Sequence, residues 1–130
     1  HSTSREIPRM KRDMNLVREI LLWATDQPDY GFRENPCFPG YTDEQVGHHI
    51  YLMEQAGLVE AEEITMIESL SPVSVLLAVT WAGHDFIDVA RDGTIWNKAM
   101  KKLAAAGEAL TFDLLKGLLT RLAEAGLAAS

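Results

Sequence analysis

Residues 48–60, HHIYLMEQAGLVE, decide the fold because they join a helix to a strand. Upstream, Thr42 and Gln45 have the spacing of a capping box, which predicts that a helix begins there. The buried side of this helix is predicted to consist of Val46, His49, Ile50 and Met53. Gly57 is typical of a helix C-terminus. A strand is therefore predicted to begin directly after it.

A β-hairpin is predicted to follow this junction. The runs LVEAEE, from Leu58, and VSVLLAVT, residues 73–80, are rich in β-branched or apolar residues. Between them stand Ser69, Ser71 and Pro72. We therefore expect two antiparallel strands with a long tip.

Amphipathic helices are predicted on both sides of this unit. The first runs from Asp13 to about Asp26, with Asp13 or Asn15 as its N-cap. Residues 27–41 hold three prolines, so turns or a short extended piece are expected there. Thr80 is expected to cap a third helix, which the Asp92-Gly93-Thr94 step either kinks or restarts. Thr111 is expected to cap a last one.

The order of these elements defines the expected fold class. Helix, irregular piece, helix, hairpin and helix is the order of a winged helix-turn-helix domain. We predict an α+β, mostly helical fold, which is winged helix-turn-helix-like, with a β-hairpin wing and an extra C-terminal helix. Residues 1–9 are interpreted as a tag and linker remnant, and 10–130 as one winged-helix-like domain. A lone cysteine, Cys37, and the lack of a long apolar run favour a cytoplasmic protein without membrane contact.

The distribution of charge argues against the usual partner of such domains. The net charge is −7, and no Lys or Arg occurs from Glu34 to Ala90. That window holds ten acidic residues and spans the predicted recognition helix and wing. Affinity for DNA comes largely from Lys and Arg at phosphates, so we do not expect this surface to bind DNA.

No pattern indicates catalysis, a metal or a cofactor. His48 and His49 are adjacent on a helix and point about 100° apart, so they do not chelate one metal together. His84 and Asp85 face apart in the same way, and no nucleophile motif lies nearby. We therefore expect a protein that is not an enzyme. The aromatic residues Trp81, Phe86 and Trp96 are predicted to anchor the third helix in the core, with an aromatic ligand platform as the alternative.

Four stretches resemble a bacterial and phage family, domain of unknown function 2513. They are MKRDMNLVREILL (10–22), YTDEQVGHHIYLMEQAGLVE (41–60), TWAGHDFIDVARDGTIWNKA (80–99) and LTFDLLKGLLTRLAEAGL (110–127). The resemblance implies a winged-helix-like fold and occurrence in phage or prophage genomes, and it brings no established activity. Gly93 stands where the family pattern has a second Asp, which puts the continuity of the helix there in question.

Two functions are expected from these observations. The leading one is a non-enzymatic phage or prophage accessory protein, which binds a protein partner through an acidic face and an apolar wing. That partner is a second copy, as a homodimer, or a basic host protein whose nucleic-acid binding is blocked. The interface candidates are Glu60, Glu62, Glu63, Ile64, Met66, Ile67 and Leu70. The alternative is a DNA-binding transcriptional regulator, which docks through Lys11, Arg12, Arg91, Lys98, Lys101 and Lys102.

Overall fold

The computed structural model describes residues 11–27, 34–64, 71–107 and 111–129. Within these ranges the chain forms five helices and one antiparallel hairpin. In chain order the elements are α1 (Met14–Thr25), α2 (Asp43–Gln55), β1 (Val59–Glu63), β2 (Ser74–Val79), α3 (Trp81–Ala90), α4 (Gly93–Ala106) and α5 (Phe112–Ala129). This is the α+β, mostly helical and winged-helix-like arrangement predicted from the sequence.

The helix starts follow the capping residues. Asp13, rather than Asn15, is the N-cap of α1, and its Oδ1 accepts from the Asn15 and Leu16 amides at 2.9 and 3.3 Å. At α2, the capping box predicted from Thr42 and Gln45 is present in both directions. Each cap satisfies amide groups that the first helical turn leaves without a partner.

The hairpin is closed on one edge by a side chain. The Asn35 amide donates to Ser74 O and accepts from Leu76 N, both at 2.9 Å, as a neighbouring strand would. A bulge between Glu60 and Ala61 shifts the register of the two strands. The Ala61 amide there is bound by the Glu54 carboxylate of α2 at 3.2 Å. Backbone N–H and C=O groups that have no partner within the two-stranded sheet thus form hydrogen bonds with side chains.

The predicted third helix consists of two helices. A new helix begins at Asp92, which is the N-cap of α4 and accepts from the Thr94 and Ile95 amides. Arg18 of α1 holds this corner, because its guanidinium donates to Ala90 O at 2.6 Å and Arg91 O at 2.8 Å. It also lies 5.5 Å from the Trp96 ring centre. The Asp-Gly step therefore makes a fixed corner between α3 and α4.

One core joins all the described elements. α1 contributes most to it and packs against α2, α3 and β2, while α5 packs against α3 and α4. The largest fully buried side chains are Trp96, Phe86, Leu16, Ile20, Leu21, Ile50, Met53, Leu58, Leu76, Ile87, Leu115 and Leu119. Gly83 permits the closest approach, because a Cβ there would lie 2.1 Å from Leu58 O.

Candidate functional site

The pairing of β1 with β2 places acidic and apolar side chains on one side of the hairpin. Leu76 pairs with Ala61 and is fully buried, so that side of the sheet faces the core. Side chains alternate along a strand, so Glu60 and Glu62 point to the other side. Leu77 is the extra residue of the bulge and is 38% exposed. Glu63 pairs with the buried Ser74, so it lies on the other side of the sheet from Glu60 and Glu62. Its side chain is nevertheless exposed.

The exposure of Trp81 shows that one prediction was wrong. It was expected in the core, yet it is 84% exposed, whereas Phe86 and Trp96 are buried as expected. It is the first residue of α3, and the buried side of that helix is formed by Gly83, Phe86, Ile87 and Ala90. At 100° per residue, Trp81 lies about 140° around the helix from Phe86. It therefore shares the solvent side with the exposed Asp85, one turn further on.

We call Glu60, Glu62, Leu77, Trp81 and Asp85 the Trp81 surface. Leu77 and Trp81 are four residues apart in the chain, which is at most about 14 Å. The three acidic side chains are all exposed. No Lys or Arg between residues 34 and 90 offsets their charge. The surface thus combines an exposed aromatic side chain, an aliphatic one and three carboxylates. Asp85 lies one helical turn from Trp81, and Glu60 and Glu62 lie opposite Ala78 and Val75 on the hairpin.

The hairpin tip is described only in part. Ile64 follows β1, its amide donates to Val73 O at 2.9 Å, and its side chain is 45% exposed. Met66, Ile67 and Leu70, which were predicted as interface residues, lie outside the described residues. The predicted interface is therefore represented by Glu60, Glu62 and Ile64, with Glu63 on the other side of the sheet.

The basic residues predicted for the alternative function do not form one patch. Lys98, Lys101 and Lys102, which we call the lysine stripe, are exposed within one turn of α4. They line an open groove of about 520 Å³, together with Thr94, Asn97 and Ala105. Arg91 instead donates to Thr25 at the C-terminal end of α1. Lys11 and Arg12 precede the other end of α1, about 20 Å away along the helix axis.

The histidines of α2 have structural partners. His49 is 2% exposed, and its Nε2 accepts from the Asp13 amide at 2.8 Å. Its Nδ1 donates to Gln45 O at 2.8 Å, so both ring nitrogens are used. Burial lowers the pKa of His49, against the opposing effect of the Gln45 carbonyl. Burial also raises the pKa of Tyr41, whose hydroxyl donates to the Asp13 carboxylate at 2.9 Å.

His48 is half-buried, and its Nδ1 donates to Pro72 O at 2.7 Å. His84, Asp85 and Cys37 are exposed. Among the described residues, no group of three or more His, Cys, Asp or Glu side chains is arranged to hold a metal ion.

Two residues of this region were missed by the sequence reasoning. Helical phase places Trp81 opposite Phe86, and this signal was available, but the expectation that tryptophan is buried outweighed it. Asn35 gave no signal, because its partners on β2 are 39 and 41 residues away in the chain.

The structure thus defines a class, a winged-helix-like α+β domain with an exposed tryptophan beside an acidic hairpin. The chain belongs to the family described as hypothetical protein (DUF2513), whose model matches residues 11–109. It is also 33% identical over 108 residues to an uncharacterized protein of Haemophilus influenzae, covering 82% of this chain and 90% of that relative. No solved structure matches the chain. Within the described ranges, no helix combines the length and the apolar character needed to cross a membrane.

Proposed function

We propose that this protein is a non-enzymatic phage or prophage accessory protein of the cytoplasm, which binds another protein through the Trp81 surface. The observation that carries the proposal is the 84% exposure of Trp81. Tryptophan is enriched among the residues that dominate binding energy at protein interfaces. An indole left in water at the start of a helix gains most from a partner that covers it.

The charge of the surface determines the kind of partner. The surface carries Asp85, one turn from Trp81, and Glu60 and Glu62 on the hairpin, so a partner with a basic surface is favoured over an acidic one. That partner is a second copy or a basic host protein. In the second case the acidic surface would occupy a site that otherwise holds nucleic acid.

The position of the acidic residues makes duplex DNA a poor ligand. In a winged helix, the recognition helix and wing usually enter DNA grooves. Here α2 and the hairpin take those positions, and both lack Lys and Arg. The field of these carboxylates repels a phosphate backbone.

A DNA-binding measurement tests this part of the proposal. A labelled duplex of mixed sequence is titrated with the protein at about 50 mM salt, where phosphate contacts are strongest, and anisotropy is followed. We expect no binding. Clear binding that weakens with added salt would contradict the proposal.

A capture experiment tests the protein-binding part. Immobilised wild type, Trp81→Ala and the double variant Glu60→Lys/Glu62→Lys are compared on bacterial extract, with Leu114→Ala as the control. Leu114 is also exposed, at 42%, but lies on α5. For a host partner, we expect one protein to bind wild type and the control but neither Trp81-surface variant. Equal capture of that protein by all four would refute a host partner at this surface.

A second candidate function is favoured by the lysine stripe. Three exposed lysines within one turn of α4 suit contacts to phosphates, so a DNA-binding regulator that docks through α4 is the alternative. Lys98→Glu, Lys101→Glu and Lys102→Glu together would abolish DNA binding in that case, and changes at Glu60 and Glu62 would not.

A further inference from the structure

We infer that the occupant of the Trp81 surface is the lysine stripe of a second copy, so that molecules of this protein associate head to tail. This inference rests on the proposed function, because it assigns the partner of the same surface.

The three carboxylates of the Trp81 surface argue against the simplest dimer. In a two-fold symmetric contact, each surface meets its own copy. Glu60, Glu62 and Asp85 would then face the same three carboxylates, and like charges placed together across an interface are strongly unfavourable. A second copy must therefore offer a different surface.

The lysine stripe has the required chemistry. Its ammonium groups complement the carboxylates of the Trp81 surface. The groove between the lysines, of about 520 Å³, is lined by their methylene stems and by Ala105. Such stems pack against apolar surface while their charged ends stay in water. An indole in this groove would contact both the stems and an ammonium group, which is a favourable cation–π arrangement.

The two surfaces are not paired within one molecule, because Trp81 is 84% exposed and the three lysines are exposed as well. The strands pack against α1, α2 and α3, whereas α4 packs against α3 and α5. Trp81 begins α3, and α4 follows its other end, about 15 Å along the helix axis. A contact between unlike surfaces forms open chains, or rings where the rotation closes.

The strength of the contact follows from its size and charge. Five residues on one side and a helix face on the other form a contact at the small end of specific interfaces, and the net charge of −7 opposes assembly. Association is therefore reversible and depends on protein concentration. Added salt weakens it, because the paired charges are at the surface.

Sedimentation velocity on the full chain tests the inference. Wild type should sediment faster as its concentration rises, and this increase should disappear at high salt. Glu60→Gln/Glu62→Gln/Trp81→Ala and Lys98→Gln/Lys101→Gln/Lys102→Gln each remove one surface at exposed positions, so each should remain a monomer. Glu19→Gln/Leu114→Ala, at exposed positions of α1 and α5 that belong to neither surface, should behave as wild type.

Mixing the two monomeric variants gives the decisive result. Each retains one native surface, so an equimolar mixture should form a dimer of one copy of each and nothing larger. A mixture that stays monomeric, a lysine variant that still assembles, or a wild type that is monomeric at every concentration would overturn the inference. If assembly fails while a host protein is captured through the Trp81 surface, only this inference is lost. If assembly and capture both fail, the proposed function is lost as well.

Discussion

At the scale of single residues, His49 links two helices through both of its ring nitrogens. The Asp13 amide is a donor, so Nε2 must carry a lone pair, and Nδ1 must carry the proton that Gln45 O accepts. The neutral ring fits these two partners. A protonated ring would place an N–H group against the Asp13 amide at the start of α1. The Asp13 carboxylate, Tyr41, His48 and Arg12 are the other titratable groups near this ring.

We predict that this histidine makes stability depend on pH. Its folded pKa is lowered from the ordinary 6.5, so the unfolded chain takes up a proton that the folded protein does not. The contribution is complete above pH 6.5 and is lost as pH falls from there towards the lower folded pKa. The slope is at most about 1.4 kcal/mol per pH unit. Urea unfolding between pH 8 and 5 measures it, and the difference between wild type and His49→Gln isolates this histidine. His48→Gln should keep the dependence, and an equal slope in wild type and His49→Gln would contradict the assignment.

Gly83 supports a second prediction at this scale. A Cβ there meets Leu58 O at 2.1 Å and Val79 Cγ1 at 2.8 Å, and the carbonyl belongs to backbone that cannot move freely. Gly83→Ala should therefore destabilise the protein by about 3 kcal/mol. Gly117→Ala is the matched control, because it lies inside α5 and its Cβ meets only an ordinary contact at 3.6 Å. That change should stabilise by about 0.5–1 kcal/mol. Thermal unfolding of both variants checks the pair.

At the scale of elements, the hairpin depends on a residue outside it. Asn35 supplies the donor and the acceptor that a third strand would supply to β2. Asn35→Ala should cost about 2 kcal/mol, because two hydrogen bonds are lost. Asn97→Ala, at an exposed position of α4, should change stability by less than about 0.5 kcal/mol. Urea unfolding measures both effects. Faster hydrogen exchange at the Leu76 amide of the first variant would locate the loss on β2, and unchanged exchange there would contradict the role of Asn35.

Elements whose signals are local were predictable from the sequence. The caps at Asp13, Thr42 and Thr80 act on amides two or three residues away, so the sequence indicated Thr42 and Thr80 and gave Asp13 as one of two candidates. The corner held by Arg18 was not predictable, because its partners are 72 and 73 residues away. The exposure of Trp81 was missed for a different reason. Trp81 was predicted to be buried because tryptophan is a large apolar residue, although its position on the helix is opposite that of Phe86.

At the scale of the whole molecule, charge is unevenly divided. Asp85 lies one helical turn from Trp81, which is 84% exposed and follows the acidic hairpin, while Trp96 is 2% exposed and Trp23 is half-buried. Clustered charges of one sign raise the local concentration of the opposite ion. The quenching of Trp81 fluorescence by each ion is divided by the quenching of free tryptophan by the same ion. On this scale, caesium should be at least about twofold more effective than iodide.

The control for this prediction is Trp81→Phe, in which the difference between the two quenchers should largely disappear. Raising the ionic strength should also reduce it, because screening shortens the range of the field. Equal quenching of the wild type by both ions at low salt would contradict an acidic environment for Trp81.

The long-range contacts of α1 also affect how the chain matures during synthesis. His49, Ala90 and Trp96, which bind residues of this helix, lie 36, 72 and 81 positions further along the chain. At ordinary translation rates, roughly 4–16 s separate the synthesis of Asn15 from that of Trp96. During that interval the apolar face of α1 has only part of its final cover. This helix is therefore the segment of the nascent chain that a ribosome-associated chaperone would protect longest.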